Sequence, residues 1–165
     1  MPSQDPASGR RVHRAQSGYT LAEIMMVVLL VGLLAGIAIP ALQKARRTAR
    51  TNRAKADLRA LDQAIAQLAF DTGQYPGGLP AVGSGDTETW DLTGGAGGLT
   101  ENDGRFQSWR GPYIKSVPQD PWGAAYFFDP DYRVDGIMRP AVGSFGPNGL
   151  GPNLYDADDV YLTVD

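Results

Sequence analysis

The chain contains twenty consecutive residues without a charged side chain, from Ile24 to Gln43, in the order IMMVVLLVGLLAGIAIPALQ. As an α-helix this run measures about 30 Å, which is the thickness of the hydrocarbon core of a bilayer. A secretory signal peptide would have a shorter apolar region closed by an Ala-x-Ala site, which this run lacks. A core helix of a soluble fold would need more surrounding chain than 165 residues offer. The run therefore predicts a membrane-spanning helix.

Composition removes most familiar enzyme chemistries. The chain has no Cys, which excludes disulfides, thiolate metal sites and cysteine nucleophiles. Its single His, His13, lies in a basic N-terminal stretch, so zinc sites built on His and Ser-His-Asp triads are excluded too. The sequence also contains no phosphate-binding P-loop and no G-x-S-x-G pattern. We predict that the protein is not an enzyme.

Charge is distributed unevenly along the chain. Residues 1–55 contain nine Lys and Arg against two Asp and Glu, whereas residues 56–165 contain six against sixteen. A nucleic-acid-binding protein would be expected to place its positive charge on the folded domain, which here is the acidic part. The pattern predicts no nucleic-acid partner.

The chain after the apolar run predicts an α+β fold. Residues 44–70 are rich in helix formers, and Leu58, Leu61, Ile65 and Leu68 form a stripe on one helical face, with Gly73 and Pro76 as stop signals. The Gly-rich residues 73–111 predict a long surface connection with little regular structure. Short apolar runs then predict three or four antiparallel strands, at 112–117, 124–128, 141–145 and 159–164. A long N-terminal helix packed on a small C-terminal antiparallel sheet follows.

A second pattern lies at the start of the apolar run. A basic stretch ends in Gly18, Tyr19 follows, and Glu23 stands five residues after Gly18, at the edge of the uncharged segment. A carboxylate at that position is costly in hydrocarbon and calls for a partner. With Pro40 inside the apolar run, this arrangement resembles the type IV pilin and pseudopilin superfamily.

The resemblance implies a processing route and an assembly role. It implies cleavage after Gly18 by a prepilin peptidase, which also methylates the new amino terminus on Tyr19. It implies that Glu23 pairs with the N-terminal amine of a neighbouring subunit, and that Pro40 marks a place where the helix can unwind as subunits pack. An interfacial Glu that reaches headgroup water is the alternative reading of Glu23.

The C-terminal half resembles one branch of that superfamily, the major pseudopilins of type II secretion systems. The resemblance is carried by WRGPYI at 109–114, VPQDPWG at 117–123, and Tyr126. It implies a structural subunit of a pseudopilus that drives protein export. A type IV pilin or minor pilin, and a membrane-anchored calcium-binding domain that never polymerises, remain alternatives. Taken without the resemblance, the DPWG segment predicts a turn with an aromatic lid on the core.

Oxygen-bearing side chains near the C-terminus suggest a cation site. Ca²⁺ binds six to eight oxygens, and a Gly-rich turn lets backbone carbonyls converge. The segment is similar to the calcium loop of the major pseudopilins, which implies Asn148, Asp158 and Asp159 as ligands, with backbone carbonyls near Ser144. A solvated acidic tail is the competing interpretation.

These inferences divide the chain into a leader (1–18), a transmembrane and filament-core helix (19–43), and a periplasmic domain (44–165). The last comprises a helix (44–72), the Gly-rich connection (73–111), and the sheet with its calcium loop (112–165). The resemblance implies that the chain crosses the bacterial inner membrane once, and that the assembled pseudopilus lies in the periplasm. It implies as partners further copies of the chain, the prepilin peptidase, minor pseudopilins, the inner-membrane assembly platform, and membrane lipid before assembly. Charge counting alone predicts the opposite orientation, because residues 44–55 are more basic than the leader.

Overall fold

The computed structural model describes residues 18–81, 87–154 and 156–164. Helix α1 spans Leu21–Thr72 and continues through Pro40. It ends where the sequence predicts: Gly73 has φ +69°, and its amide donates to the carbonyl of Ala69 at 2.8 Å. Glycine adopts this left-handed conformation without steric cost, which is why it closes the helix.

The chain divides into two compact units after Gln43. In the first unit, the described residues 18–43 are all exposed, including their large apolar side chains. Helix α1 is long and apolar enough to cross a membrane. An exposed apolar surface of this size requires lipid or protein around it.

In the second unit, one face of α1 forms the base of the core. Leu58, Leu61, Ile65 and Leu68 are fully buried, which confirms the predicted stripe. Burial of each such side chain stabilises the fold by about 1.5–3 kcal/mol.

Asp57 links helix α1 to a distant part of the chain. Its Oδ2 accepts a hydrogen bond from the hydroxyl of the buried Tyr126 at 3.0 Å and lies 3.8 Å from the Nε of Arg53. Burial, then the bond to Asp57, raises the pKa of Tyr126. This bond ties the helix to the segment that leads into the sheet.

The main sheet has three antiparallel strands, which confirms the α+β prediction. The short strands β1 (Gln74–Tyr75) and β2 (Leu79–Pro80) flank a 3-10 turn at Pro76–Gly78 and pair with each other. The main strands are β3 (Phe127–Val134), β4 (Ile137–Ser144) and β5 (Val160–Thr163), and they lie in this order across the sheet. Asp135 and Gly136 both have positive φ and form the two-residue turn between β3 and β4.

The strand predicted at 112–117 is wrong. This segment is irregular, and the amides of Tyr113 and Ile114 donate to the carbonyl of Leu99, at 2.8 and 3.4 Å. Pro112 and Pro118 bracket the segment and lack the N–H that a strand ladder needs. The predicted strands at 124–128 and 141–145 exist with shifted bounds.

In its described residues, 73–81 and 87–111, the Gly-rich connection has little regular structure, as predicted, but it does more than run over the surface. Leu92 and Leu99 are fully buried and Phe106 is 3% exposed, all in the core with the α1 stripe. A Cβ on Gly98 would lie 2.6 Å from ring carbons of Phe106, so glycine at this position permits the ring to pack. The connection therefore supplies part of the core.

Candidate functional site

The N-terminal segment places the predicted processing residues ahead of the helix. Gly18, Tyr19 and Thr20 have no regular structure and are exposed. The Glu23 Oε2 accepts hydrogen bonds from the backbone amide of Thr20 at 2.9 Å and from its hydroxyl at 3.0 Å. In return, the Thr20 hydroxyl accepts from the amide of Glu23 at 3.2 Å. These reciprocal bonds form a capping box.

Glu23 therefore has partners within its own chain, which the sequence analysis did not anticipate. The signal was present, because Thr20-Leu21-Ala22-Glu23 is the T-x-x-E pattern that marks a helix N-terminus. The first turn of a helix also favours a carboxylate through the helix dipole. If the Glu23 carboxylate pairs with the amine of a second subunit, it does so in addition to its bonds to Thr20 or in place of them.

Residues 144–160, which we call the metal loop, connect β4 to β5. Ser144 and Val160 are paired in the sheet and close the loop at its base. Asn148 lies in the turn at 146–149, and Asp158 in the turn at 157–158. A Cβ on Gly146 would collide with the backbone carbonyl oxygen of Asp158, so the two turns meet at the backbone.

Asp156 joins these turns and was not among the predicted ligands. Its Oδ2 accepts from the Asn148 Nδ2 at 2.7 Å, and its Oδ1 accepts from the amide of Asp158 at 2.8 Å. The Asn148 Oδ1 accepts from the amide of Leu150 at 2.9 Å. The spacing Asp156-Ala157-Asp158-Asp159 was the only signal for this role.

Asp159 lies deeper than the other predicted ligands. Its Oδ2 accepts from the hydroxyl of Tyr132 at 2.7 Å, while its Oδ1 is buried and has no hydrogen-bond partner among the described residues. Burial raises the pKa of Asp159, and burial together with the bond to Asp159 raises that of Tyr132. A buried carboxylate oxygen without a donor is costly, and a cation would satisfy it.

Asp120 fixes the metal loop to the rest of the fold. Its Oδ1 accepts from the amides of Trp122 and Ala124, at 3.0 and 2.8 Å. Its Oδ2 accepts from the hydroxyl of Ser144, whose Oγ accepts in turn from the amide of Gly146 at 3.1 Å. Asp120 is 5% exposed. The predicted DPWG turn is confirmed, with Trp122 packed against the core.

A cluster of acidic side chains lies at the start of the sheet, outside the metal loop. The carboxylates of Glu88, Asp129 and Asp131 lie within 4.8 Å of one another, close enough to hold a metal ion. Asp129 is fully buried, and its Oδ1 accepts from the amide of Asp131 at 2.9 Å. This cluster was not predicted from the sequence, because Glu88 is far from the other two residues along the chain.

Two family models match the sequence. The model described as "Type II secretion system (T2SS), protein G" matches residues 41–153. The model described as "Prokaryotic N-terminal methylation motif" matches residues 13–39, which include Gly18, Tyr19 and Glu23. Together they cover the apolar helix and most of the second unit.

Curated relatives and a solved structure agree with these models. The type II secretion system core protein G of Pseudomonas aeruginosa is 31% identical over 157 residues, covering 88% of this chain and 94% of that protein. The protein of the same name from Dickeya chrysanthemi is 32% identical, covering 90% and 86%. The crystal structure of the major pseudopilin of enterohaemorrhagic Escherichia coli matches with a TM-score of 0.51 and 22% identity, covering 73% of this chain and 87% of that chain, which shows a shared fold.

Proposed function

Because this chain belongs to the type II secretion system protein G family, we propose that it is a major pseudopilin: a subunit stored in a membrane and assembled into a pseudopilus that drives protein export. The observation that carries the proposal is the family match over residues 41–153, which directly follows the methylation motif at 13–39. This match favours a pseudopilin over a type IV pilin. The role is structural and needs no catalytic residues.

The proposed processing site is Gly18-Tyr19. Tyr19 is 84% exposed and lies before the first helical residue, so a peptidase can reach non-helical backbone there. In this proposal the peptidase cleaves after Gly18 and methylates the amine of Tyr19. The capping box begins at Thr20 and survives the cut.

Intact mass spectrometry of the chain purified from membranes tests this route. We expect a chain that begins at Tyr19 and carries one extra methyl group when the prepilin peptidase is present, and an uncut chain when it is absent. A Gly18→Asp variant should stay uncut and should form no filaments. An uncut wild-type chain, or a cut beyond Leu42, would overturn both the processing and the assembly roles.

We propose the bacterial inner membrane as the site of storage, with residues 44–165 in the periplasm. The apolar first unit supports the membrane anchor, and the family supports the orientation. The partners in this proposal are further copies of the chain, minor pseudopilins and the inner-membrane assembly platform. A periplasm-dependent reporter fused after Asp165 should be active.

We further propose that the metal loop binds Ca²⁺ through Asn148, Asp158 and Asp159, with backbone carbonyls near Ser144. The buried Asp159 Oδ1 without a donor supports a cation at this place. Asp156 acts beside the ligands, because it holds Asn148 and the Asp158 backbone in position. An amide at position 148 provides an oxygen without charge, so the affinity for Ca²⁺ should be lower than with a carboxylate there.

Calcium should therefore raise the thermal stability of the full-length protein in detergent. An ion at about 100 times its dissociation constant adds about 2.7 kcal/mol, which is several degrees in Tm for a domain of this size. Asp159→Asn should abolish the rise, and Asn148→Asp should produce it at lower calcium. Asp131→Asn, in the other acidic cluster, is the control. Loss of the calcium effect in the control but not in Asp159→Asn would place the ion at Glu88, Asp129 and Asp131 instead.

A further inference from the structure

A groove of about 580 Å³ runs between the start of the soluble part of α1 and the metal loop, within residues 44–164. Arg47, Arg50 and Thr51 line it on the helix side, and Trp122, Pro147, Asn148 and Asp158 line it on the other. Two guanidinium groups face one carboxylate across this groove, so its lining carries a net positive charge. We propose that it binds the phosphate of an anionic phospholipid headgroup while the subunit is stored in the membrane.

The helix aims both arginines into this groove. Arg47, Arg50, Ala54 and Leu58 follow one another at helical spacings of three and four residues and share the face of α1 that becomes the core stripe. Ala54 and Leu58 are buried on that face, whereas Arg47 and Arg50 are exposed. The groove therefore lies where the buried part of this helix face ends and its exposed part begins.

Neither arginine has an ion-pair partner within the described part of the chain. The ion pairs found there are Arg53–Asp57 and Arg105–Asp103. A guanidinium group matches phosphate geometry with two parallel hydrogen bonds, and it binds phosphate more specifically than an ammonium group does. Arg47 and Arg50 are therefore available for an anion from outside the chain.

The position along the chain identifies lipid as the occupant. Arg47 and Arg50 follow the last residue of the uncharged run, Gln43, by four and seven residues, or about 6 and 10 Å along a helix. The headgroup layer on each side of a bilayer is about 5–8 Å thick, so the backbone of the first arginine falls within it. The backbone of the second lies about 2 Å beyond the layer, a distance that a long arginine side chain spans. Trp122 in the groove wall suits this layer, because tryptophan concentrates at membrane interfaces.

This inference also accounts for the charge pattern that contradicts the proposed orientation. Six Lys and Arg between residues 44 and 55 would normally stay on the cytoplasmic side. Basic residues that bind anionic headgroups gain about 1 kcal/mol each, wherever anionic lipid is present. The inference rests on the membrane-stored state in the proposed function, and on neither cleavage nor filament assembly.

The test uses the full-length chain in nanodiscs that contain phosphatidylcholine and phosphatidylglycerol in equal amounts, with the lipids that stay bound counted by native mass spectrometry. The wild type should retain phosphatidylglycerol in preference to phosphatidylcholine. The variant Arg47→Gln/Arg50→Gln should lower this preference by roughly tenfold or more. Arg133→Gln/Arg139→Gln, which removes the same charge from exposed positions on β3 and β4, should leave it unchanged.

Four results would overturn the proposal. The first is a wild-type chain that shows no preference between the two lipids. The second is a control variant that loses the preference as much as Arg47→Gln/Arg50→Gln does, which would indicate that overall charge determines lipid binding. The third is displacement of the lipid by inorganic phosphate at comparable concentration, which would indicate that the groove binds a soluble anion. The fourth is an Arg47→Gln/Arg50→Gln variant that keeps its bound lipid but fails to assemble, which would indicate that the groove is a contact between subunits. A chain that keeps its leader and forms no filaments can still pass this test, so its outcome is separate from that of the proposed function.

Discussion

Glu23→Gln should abolish filament assembly while the chain is still cleaved, folded and inserted in the membrane. The substitution separates the two roles of this side chain, which are capping the helix and carrying a charge for assembly. Glutamine can replace glutamate in a capping box, so the helix N-terminus keeps its bonds to Thr20. What it loses is the charge that would attract the amine of a neighbouring subunit. In a water-poor filament core an unpaired amine is costly, so we expect complete loss rather than a partial defect.

Thr20→Val is the matched control, because it removes the hydroxyl bonds of the capping box and keeps the charge of Glu23. Loss of an N-cap hydroxyl costs about 1 kcal/mol at the end of a long helix, so filaments should persist. Glu23→Ala should behave like Glu23→Gln. The measurements are filament yield by electron microscopy and intact mass for processing. Filaments from Glu23→Gln at the wild-type level would show that Glu23 serves the cap alone. If neither the wild type nor any variant forms filaments, the result would favour a membrane-anchored domain that does not polymerise.

Asp120→Ala should be the most destabilising single change in the second unit that we can name from its contacts. It would leave the amides of Trp122 and Ala124 and the hydroxyl of Ser144 without their acceptor. Each buried group left unsatisfied costs about 1–3 kcal/mol. We expect a loss of about 3–5 kcal/mol in the free energy of unfolding, measured by denaturant titration of the full-length chain in detergent.

Asp120→Asn should cost much less, because its amide oxygen still accepts from the two backbone amides. Ser144→Ala should fall between the two variants, since it removes the bond to Asp120 and orphans the amide of Gly146. Both Asp120→Ala and Ser144→Ala should also weaken the calcium effect, because this chain of bonds fixes the first turn of the metal loop. A cost below about 1 kcal/mol for Asp120→Ala would show that water replaces the lost carboxylate.

Local patterns predicted the helix well. Its apolar run, its core stripe and its terminating Gly73 depend on spacings within a few residues, and the structure has all of them. The capping box at Thr20 and Glu23 was also readable by the same logic, although it was not recognised. The α+β class followed because a single amphipathic helix and several short strands have few ways to share a core.

Predictions failed where a residue depends on a distant part of the chain. The amides of Tyr113 and Ile114 bond to Leu99 instead of to a strand, and glycines that suggest a surface loop instead let Phe106 pack in the core. Asp57 finds its partner in Tyr126, which is 69 positions further along the chain. No local spacing reports such pairs, because composition and periodicity describe one segment at a time.

The sequence by itself determined the apolar anchor, the amphipathic helix, the motif residues Gly18 to Glu23 and the list of oxygen-bearing side chains in the metal loop. Only the tertiary structure decided which of those side chains meet. It brought Asp120 to Ser144, placed Tyr132 against Asp159, and set Arg47 and Arg50 beside the metal loop. The physical reason is that burial, an unpaired oxygen and a shared groove are properties of neighbours in space, which arise when the helix and the sheet pack on one core.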